Sequence, residues 1–563
     1  MPGRLFDELA AGGGSRDAVA FLLKGERARR LLLLRDLLDR LDEIPGVLGP
    51  LGAVTPVWEV LEAAALRAPD AVDGLLMSPQ CGAWTAHALR RLHGAASGPP
   101  LWADVGHLAC LAASASVLAG TDADLTLPAR AGALALPMLG LIHLPDCATE
   151  FSAVPVVVRS GRVTAGPVTV RPLGTAGDVP GWQPLRTLRP GGIRLDDLDP
   201  YRDLDGPIAP DRLSADEVAH WEKTVEEAHG ILARGPGPGT AGAIRPGDIT
   251  RIVPWPSAQR PGIRLSASTG DAFGSMVASR PDSGLDLAET LVHEFQHSKL
   301  GALLHLFPLL ADDRTERFYA PWRADPRHLP GLLHGAYAFT GVAGFWRARM
   351  GDRAADPENV APFHFALRRL QSRLVVRTLA THAELAPAGR RLLAGLAATL
   401  DRWLREPVDP AVAARARASA VSHRTEWRLR NLRCGPAERA ALARAHREGG
   451  PPPRGFEPEP APGGPVAHWE DTRAARYLSP RPGSDADAFL TTGDPGRARE
   501  LYEARLREAP DDAHALSGLL LARAQLDPRA RRLLARPERV AAALDVVGGD
   551  TDEAVRWLAG LSR

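Results

Sequence analysis

Two histidines stand where they could share one metal ion, with a glutamate between them. The stretch Leu291-Val-His-Glu-Phe-Gln-His-Ser-Lys-Leu300 contains the spacing H-E-x-x-H at His293, Glu294 and His297. At 100° per residue a helix carries His293 and His297 one turn apart on one face, so both imidazoles reach the same ion. An ion would also give each ring a partner inside a fold, where an unpaired polar atom is costly. Glu294 fits either of two chemistries. With zinc it is the general base that activates a metal-bound water for peptide hydrolysis. With iron(II), the two histidines and a third residue occupy one face of the metal and leave positions open for a cosubstrate and dioxygen. Glu294 then orients a ligand instead of moving a proton.

Either centre needs a third protein ligand. Residues 331–346 read as a second helix in which His334, Ala338, Gly341 and Phe345 share a face. Its small residues would let its backbone approach another helix closely, which makes His334 the first choice. Glu316, nineteen residues past His297, is the second, at a distance along the chain where thermolysin-like peptidases place a carboxylate. His305 is the third. It lies two turns past His297, too far along the axis at ~1.5 Å per residue to share the ion without a break.

Three stretches carry a family likeness: Glu289-Thr-Leu-Val-His-Glu-Phe-Gln-His-Ser-Lys-Leu, Tyr319-x-Pro-Trp-Arg-x-Asp-Pro-Arg and Gly331-Leu-Leu-His-Gly-x-Tyr-Ala-Phe. Together they resemble the α-ketoglutarate-dependent HExxH-type peptide β-hydroxylases, long labelled HEXXH-motif peptide-modification proteins. The likeness extends more loosely to Ser266-x-Ser-x-x-Asp-Ala-Phe-Gly and to Phe6-Asp-Glu-Leu-Ala-Ala-Gly-Gly-Gly. It is densest from about 245 to 350, and the C-terminal third carries little of it. The resemblance implies iron(II)- and α-ketoglutarate-dependent β-hydroxylation of a residue in a ribosomally made precursor peptide. Some relatives are fused to a radical-SAM domain; its cysteine motif is absent here, so any peptide cyclisation would need a separate enzyme. Pro321 and Pro326 prevent a continuous helix between the two helical stretches and place Arg323 and Arg327 on an ordered loop. A guanidinium fork matches the distal carboxylate of α-ketoglutarate. The plainer reading of both arginines is an ion pair with Asp313 or Asp325. A zinc metallopeptidase and an inactive peptide-binding scaffold remain the alternatives.

The elements that must position these groups are mostly helical. The motif helix is expected to start at a box formed by Asp286 and Glu289, to stop at Pro308, and to be buried on most sides, because Leu287, Leu291 and Phe295 make a second apolar stripe. Residues 1–125 read as a helical region, with His87, His93 and His107 as surface or satisfied core histidines and Asp104 at helical spacing from His107. Residues 126–350 read as a catalytic core that contains strands, including a hairpin turning at Ser160-Gly161. Asp196, Asp197, Asp199 and Asp205 cluster near Tyr201, as a solvated turn or, less simply, a cation site. Residues 351–448 read as a helical extension, 449–470 as a proline-rich linker or loop, and 471–563 as helical with one tetratricopeptide-like hairpin. The fold class expected is α+β, mostly α.

Composition narrows the function classes. The net charge of +1, with 24% charged and 45% hydrophobic residues, favours neither nucleic acid nor an anionic membrane as partner. Cys81, Cys110, Cys147 and Cys434 are far apart in sequence, which excludes a local zinc knuckle and fits a reducing compartment. The first residues lack the order of a signal peptide, and the longest uncharged runs fall short of a spanning helix, so the expected location is cytoplasmic.

Overall fold

The structure, a computed structural model, describes residues 1–145, 149–204, 206–255, 265–352, 356–461, 469 and 471–560. Cys147, Asp205 and most of the second half of the proline-rich stretch lie outside the described residues. Helices take up 56% of the chain and strands 12%, as the α+β, mostly α expectation requires. The chain forms two compact units, Met1–Pro308 and Leu309–Arg563. Their boundary falls inside the 126–350 span expected as one core.

The first unit opens with α1 (Gly3–Ala10), α2 (Arg16–Glu43), α3 (Val54–Arg67), α4 (Pro69–Leu76), α5 (Pro79–Leu92), α6 (Leu101–Val105) and α7 (His107–Ala119). Ser15 caps α2 by accepting from the Ala18 amide, as a Ser at that position should. The run Leu101–Ala119 is long and apolar enough to cross a membrane, but 83% of it is buried as a core helix. It packs on a seven-stranded antiparallel sheet of β1 (Ala123–Arg130), β2 (Ala133–Leu136), β3 (Gly140–His143), β4 (Phe151–Arg159), β5 (Arg162–Ala165), β6 (Val168–Val170) and β7 (Trp182–Pro184), in the order β6-β5-β4-β1-β2-β3-β7. Val154, Val156 and Val158 alternate inward along β4, the mark of a sheet with one buried face. The hairpin turns at Ser160 and Gly161, with φ of 51° and 70°, as expected from the sequence.

A second, five-stranded sheet supports the motif helix. It comprises β8 (Arg186–Leu188), β9 (Ile193–Leu195), β10 (Arg251–Pro254), β11 (Ser266–Ala267) and β12 (Ser275–Ala278), in the order β11-β12-β10-β9-β8, with β10 parallel to both neighbours. Helix α8 (Ala215–Ala233) carries a capping box between Ser214 and Glu217 and packs on α9 (Gly284–Leu306), which holds the H-E-x-x-H residues. Their approach is close: a Cβ on Gly284 would lie 2.3 Å from Glu227 Cβ.

Several expectations are corrected here. The cap of α9 is Ser283, whose hydroxyl accepts from the Asp286 amide, one turn earlier than the Asp286–Glu289 box. The Asp196–Asp199 cluster is buried rather than solvated. Arg251 pairs with Asp196 at 2.5 Å, Arg212 with Asp197 at 2.9 Å, and the Asp199 and Tyr201 amides donate to Asp196 and Asp199. Asp104 bonds His87 at 3.3 Å, not His107. Helix α9 ends at Leu306, before Pro308, as expected.

The second unit contains α10 (Leu329–Arg349), α11 (Ala361–His382), α12 (Pro387–Leu404) and α13 (Pro410–Asn431), followed by β13 (Leu432–Arg433), α14 (Pro436–Arg447), β14 (Glu459–Pro460), α15 (Thr472–Leu478), α16 (Ala486–Thr492), α17 (Pro495–Glu508), α18 (Ala513–Leu526), α19 (Pro537–Val546) and α20 (Thr551–Ala559). The described part of the proline-rich stretch is not a free spacer. Strand β14 pairs with β13, and the carbonyls of Gly450, Pro453 and Phe456 accept from Trp557, Arg539 and Arg536. Helices α17 and α18 form the expected helical hairpin. Beneath it Glu426, Arg473, Asp487 and His514 make a largely buried ionic network.

Candidate metal centre

On α9 the apolar residues Leu287, Leu291, Val292, Phe295, Leu300 and Leu303 are buried, so the helix is fixed by packing on several sides. His293 and His297 emerge on one half-buried face with their Nε2 atoms 3.0 Å apart. Without an ion, one imidazole at this distance donates to the other. Two nitrogens this close can also both lie within the ~2.1 Å metal–nitrogen distance of a single ion. A carboxylate oxygen of Glu294 joins them: among the described residues, the ligand atoms of His293, Glu294 and His297 all lie within 4.8 Å of one another. Two imidazoles on one helix face suit zinc or iron(II).

Glu294 is held from outside the motif. It is 1% exposed, and its two oxygens accept from Ser266 Oγ at 2.6 Å and from Ser268 Oγ at 2.7 Å. Sequence reasoning did not assign these serines a role. The available signal was their i, i+2 spacing at the end of a strand, which turns both hydroxyls to one side. The rest of that stretch backs the same helix. The Asp271 carboxylate pairs with Arg29 at 2.8 Å and Arg90 at 3.2 Å, tying the turn to α2 and α5. Phe273 meets Phe295 edge to face, with centroids 6.2 Å apart, and the Gly274 amide donates to Ser298 Oγ at 3.4 Å.

The polar residues of α9 that face away from the histidines grip the N-terminal glycines. Gln296 Nε2 donates to the Gly12 carbonyl at 2.9 Å and Lys299 Nζ to the Gly13 carbonyl at 2.7 Å. Burial pushes the Lys299 ammonium down to about 7. A Cβ at Gly13 would stand 2.1 Å from the Gly239 carbonyl oxygen, so no side chain fits there. His305 is a structural residue: its Nδ1 lies 2.7 Å from Oε1 of the buried Glu26.

His334, Arg323, Arg327 and Glu316 belong to the second unit. His334 lies in the first turns of α10, whose N-cap His328 accepts from the Gly331 amide at 3.0 Å. Burial first, then the neighbours His328, Arg314 and Arg327, hold the His334 imidazole down to about 4, in the neutral form that ligates metals. Helix α10 packs on α11, and a Cβ on Gly335 would lie 2.2 Å from the Trp322 ring. The arginines lie on the expected loop, closed by a bridge between Phe318 and Arg327. Arg323 bonds Asp325 at 2.8 and 3.2 Å, and Arg327 stands 3.6 Å from the same carboxylate. Glu316 is exposed on coil. No protein-family model matches the chain, and no curated protein matches it.

Proposed function

We propose that the chain is a cytoplasmic iron(II)- and α-ketoglutarate-dependent enzyme that hydroxylates a β-carbon in a ribosomally synthesised precursor peptide. The carrying observation is the pairing of two Nε2 atoms 3.0 Å apart with a buried carboxylate whose oxygens both already accept from serine hydroxyls. That arrangement suits a fixed positioning group. A peptidase base must instead take a proton from water and pass it to the leaving amine.

In this reading His293 and His297 hold the iron, and Glu294 fixes the polar surroundings of the two imidazoles. Arg323 and Arg327 bind the distal carboxylate of α-ketoglutarate in place of Asp325. A pair 46% exposed on the Arg323 side is worth only ~0–1 kcal/mol, so the exchange costs little. When bound, iron with its cosubstrate and dioxygen supplies the oxidising power: a C–H bond becomes C–OH while α-ketoglutarate becomes succinate and carbon dioxide. The precursor peptide is the partner, and a separate enzyme performs any cyclisation.

Incubation in air with a peptide encoded beside the gene, iron(II), ascorbate and α-ketoglutarate should add one oxygen to the peptide and release succinate. Both products should vanish without α-ketoglutarate. Cleavage of the peptide by the zinc-loaded protein, with no cosubstrate, would overturn the reading in favour of a peptidase.

A further inference from the structure

The first unit contains a cleft of about 750 Å³ that the metal chemistry does not use. It opens between α7, the strands β1 to β3 and the stretches 198–200 and 207–210, and its volume lies in the range of small-molecule sites. Most of the wall is apolar, with Ala135, Leu141, Phe151, Leu198 and Ile208 among the contributors. Arg130, at the end of β1, brings a guanidinium to this wall with a fifth of its side chain exposed. We propose that this cleft binds an organic carboxylate carried on an apolar body, with Arg130 as the group that receives the charge.

Three observations carry the assignment. Among the described residues, all the side-chain hydrogen bonds of Arg130 are made by one nitrogen: NH2 donates to Asp104 Oδ1 at 2.7 Å, to the Tyr201 hydroxyl at 2.7 Å and, more weakly, to the Ala103 carbonyl at 3.4 Å. Among the described residues its NH1 and Nε have no partner, which leaves donors for a ligand. Second, the fully buried Asp104 is shared by Arg91 and Arg130, and no other carboxylate among the described residues pairs with either. Two guanidinium groups on one carboxylate leave a net positive charge, and Arg130 is the one on the cleft wall. Third, the guanidinium is held in place: its carbon lies 5.7 Å from the centroid of Phe151 and 5.5 Å from that of Tyr201.

His107 adds a further polar atom to this wall. It is 3% exposed, and its Nε2 has no hydrogen-bond partner among the described residues. Burial, then the Arg130 charge, holds the imidazole neutral at about 3, so it does not compete with Arg130 as a cation. Glu150 also lies on the wall, but it is solvent-exposed, where water and salt screen it.

The test uses the full chain without iron, so its outcome is independent of the metal reading. The probes are 3-phenylpropionate and its neutral amide, followed by acetyl-Leu-Phe with a free C-terminal carboxylate and the same dipeptide amidated, each titrated calorimetrically. The acids should bind the unaltered protein at least tenfold more tightly than the amides. Arg130→Gln should weaken acid binding about ten- to hundredfold, as loss of a charged hydrogen bond does, and Arg130→Lys should restore part of it. Ala133→Phe fills the cleft from β2 with Arg130 intact, and should abolish binding of every probe. Preference for 3-phenylpropionate would identify a free organic acid as the natural ligand, and preference for the dipeptide acid a peptide terminus; both support the site. Equal binding of acid and amide, undiminished acid binding in Arg130→Gln, or binding that survives Ala133→Phe would each overturn the proposal, as would no binding at all.

Discussion

Replacing Ser266 and Ser268 by alanine tests whether Glu294 is a held group. Each serine donates to a different oxygen of a carboxylate that is 1% exposed, at 2.6 and 2.7 Å. A hydrogen bond to a charged group contributes ~1.5–3 kcal/mol, and a buried acceptor left unsatisfied loses at least as much. Either single variant should therefore lower the free energy of unfolding by about 1.5–3 kcal/mol in urea denaturation, with both serines replaced costing roughly twice that. Because the same carboxylate lies beside the two imidazoles proposed to hold the iron, the doubly substituted protein should also bind iron(II) ~10–100-fold more weakly, the usual effect of losing a group that orients a ligand. The decisive measurement is the cycle with Glu294→Gln. Once the charge is gone, each serine should be worth only ~0.5–1.5 kcal/mol, the value of a neutral hydrogen bond. Serine variants that cost the same in the Glu and Gln backgrounds, or that leave stability and iron affinity unchanged, would refute the reasoning.

Further expectations concern residues outside the motif. His305→Ala should leave metal binding intact but destabilise the fold by roughly 1–3 kcal/mol, because Glu26 is 1% exposed and loses its partner; a loss of bound metal in elemental analysis would return His305 to the ligand set. Gly13→Ala should cost about 1–3 kcal/mol of overpacking at the Gly239 carbonyl, read as a lowered midpoint in thermal denaturation. Arg473→Met should destabilise the second unit by ~3–5 kcal/mol, since Glu426 and Asp487 would keep their burial and lose the guanidinium between them. The same network sets a pH window. Burial opposes the charge on Glu426, but the His514 hydrogen bond and the Arg473 charge outweigh it and hold the carboxyl down to about 2. Its contribution is therefore complete above 4.5 and lost as pH falls through the folded value. Burial likewise opposes protonation of His514, but its bonds to Asp487 and Glu426 raise its pKa. Its contribution is complete below 6.5 and lost as pH rises through the raised value. Denaturation of the full chain at a series of pH values should show maximal stability of this unit between 4.5 and 6.5, and His514→Gln should flatten the alkaline side.

The features that were legible in the sequence are local ones. Helical spacing carried the helical character of residues 1–125, the β-branched runs around Ser160-Gly161 carried the hairpin, and the i, i+4 histidines carried the shared face of α9. Contacts between distant segments were not legible. Nothing near His305 points to Glu26, 279 residues away, as its partner. Nothing in the run of aspartates from 196 to 199 shows that Arg251 and Arg212 will bury them. A pattern of types and spacings reports what a helix or strand can present. Which arginine reaches which carboxylate depends on how the chain returns, and that return is encoded in no short window. The Asp286–Glu289 box failed for a different reason: Ser283 is the stronger cap, and it lies three residues before an acidic residue of its own.

The residues interleaved with the histidines explain why this helix can hold a defined site. Gln296 and Lys299 bond the Gly12 and Gly13 carbonyls, Ser298 accepts from Gly274, and Phe295 packs on Phe273, so the positions from 295 to 299 other than His297 anchor the helix to two different segments. Those anchors fix the rotation of α9 about its own axis, and rotation decides where two imidazoles one turn apart will point. A metal-binding pair on a loop would have to be ordered by the metal. On α9 the ordering is done by the fold, which is the arrangement that holds reacting groups in place most accurately. Lys299→Met tests this directly: it keeps the packing volume, removes the bond to Gly13, and should weaken metal binding through the N-terminal segment although Lys299 is no ligand. Unchanged iron affinity in that variant, with the fold intact by circular dichroism, would show that the histidine face is set by packing alone.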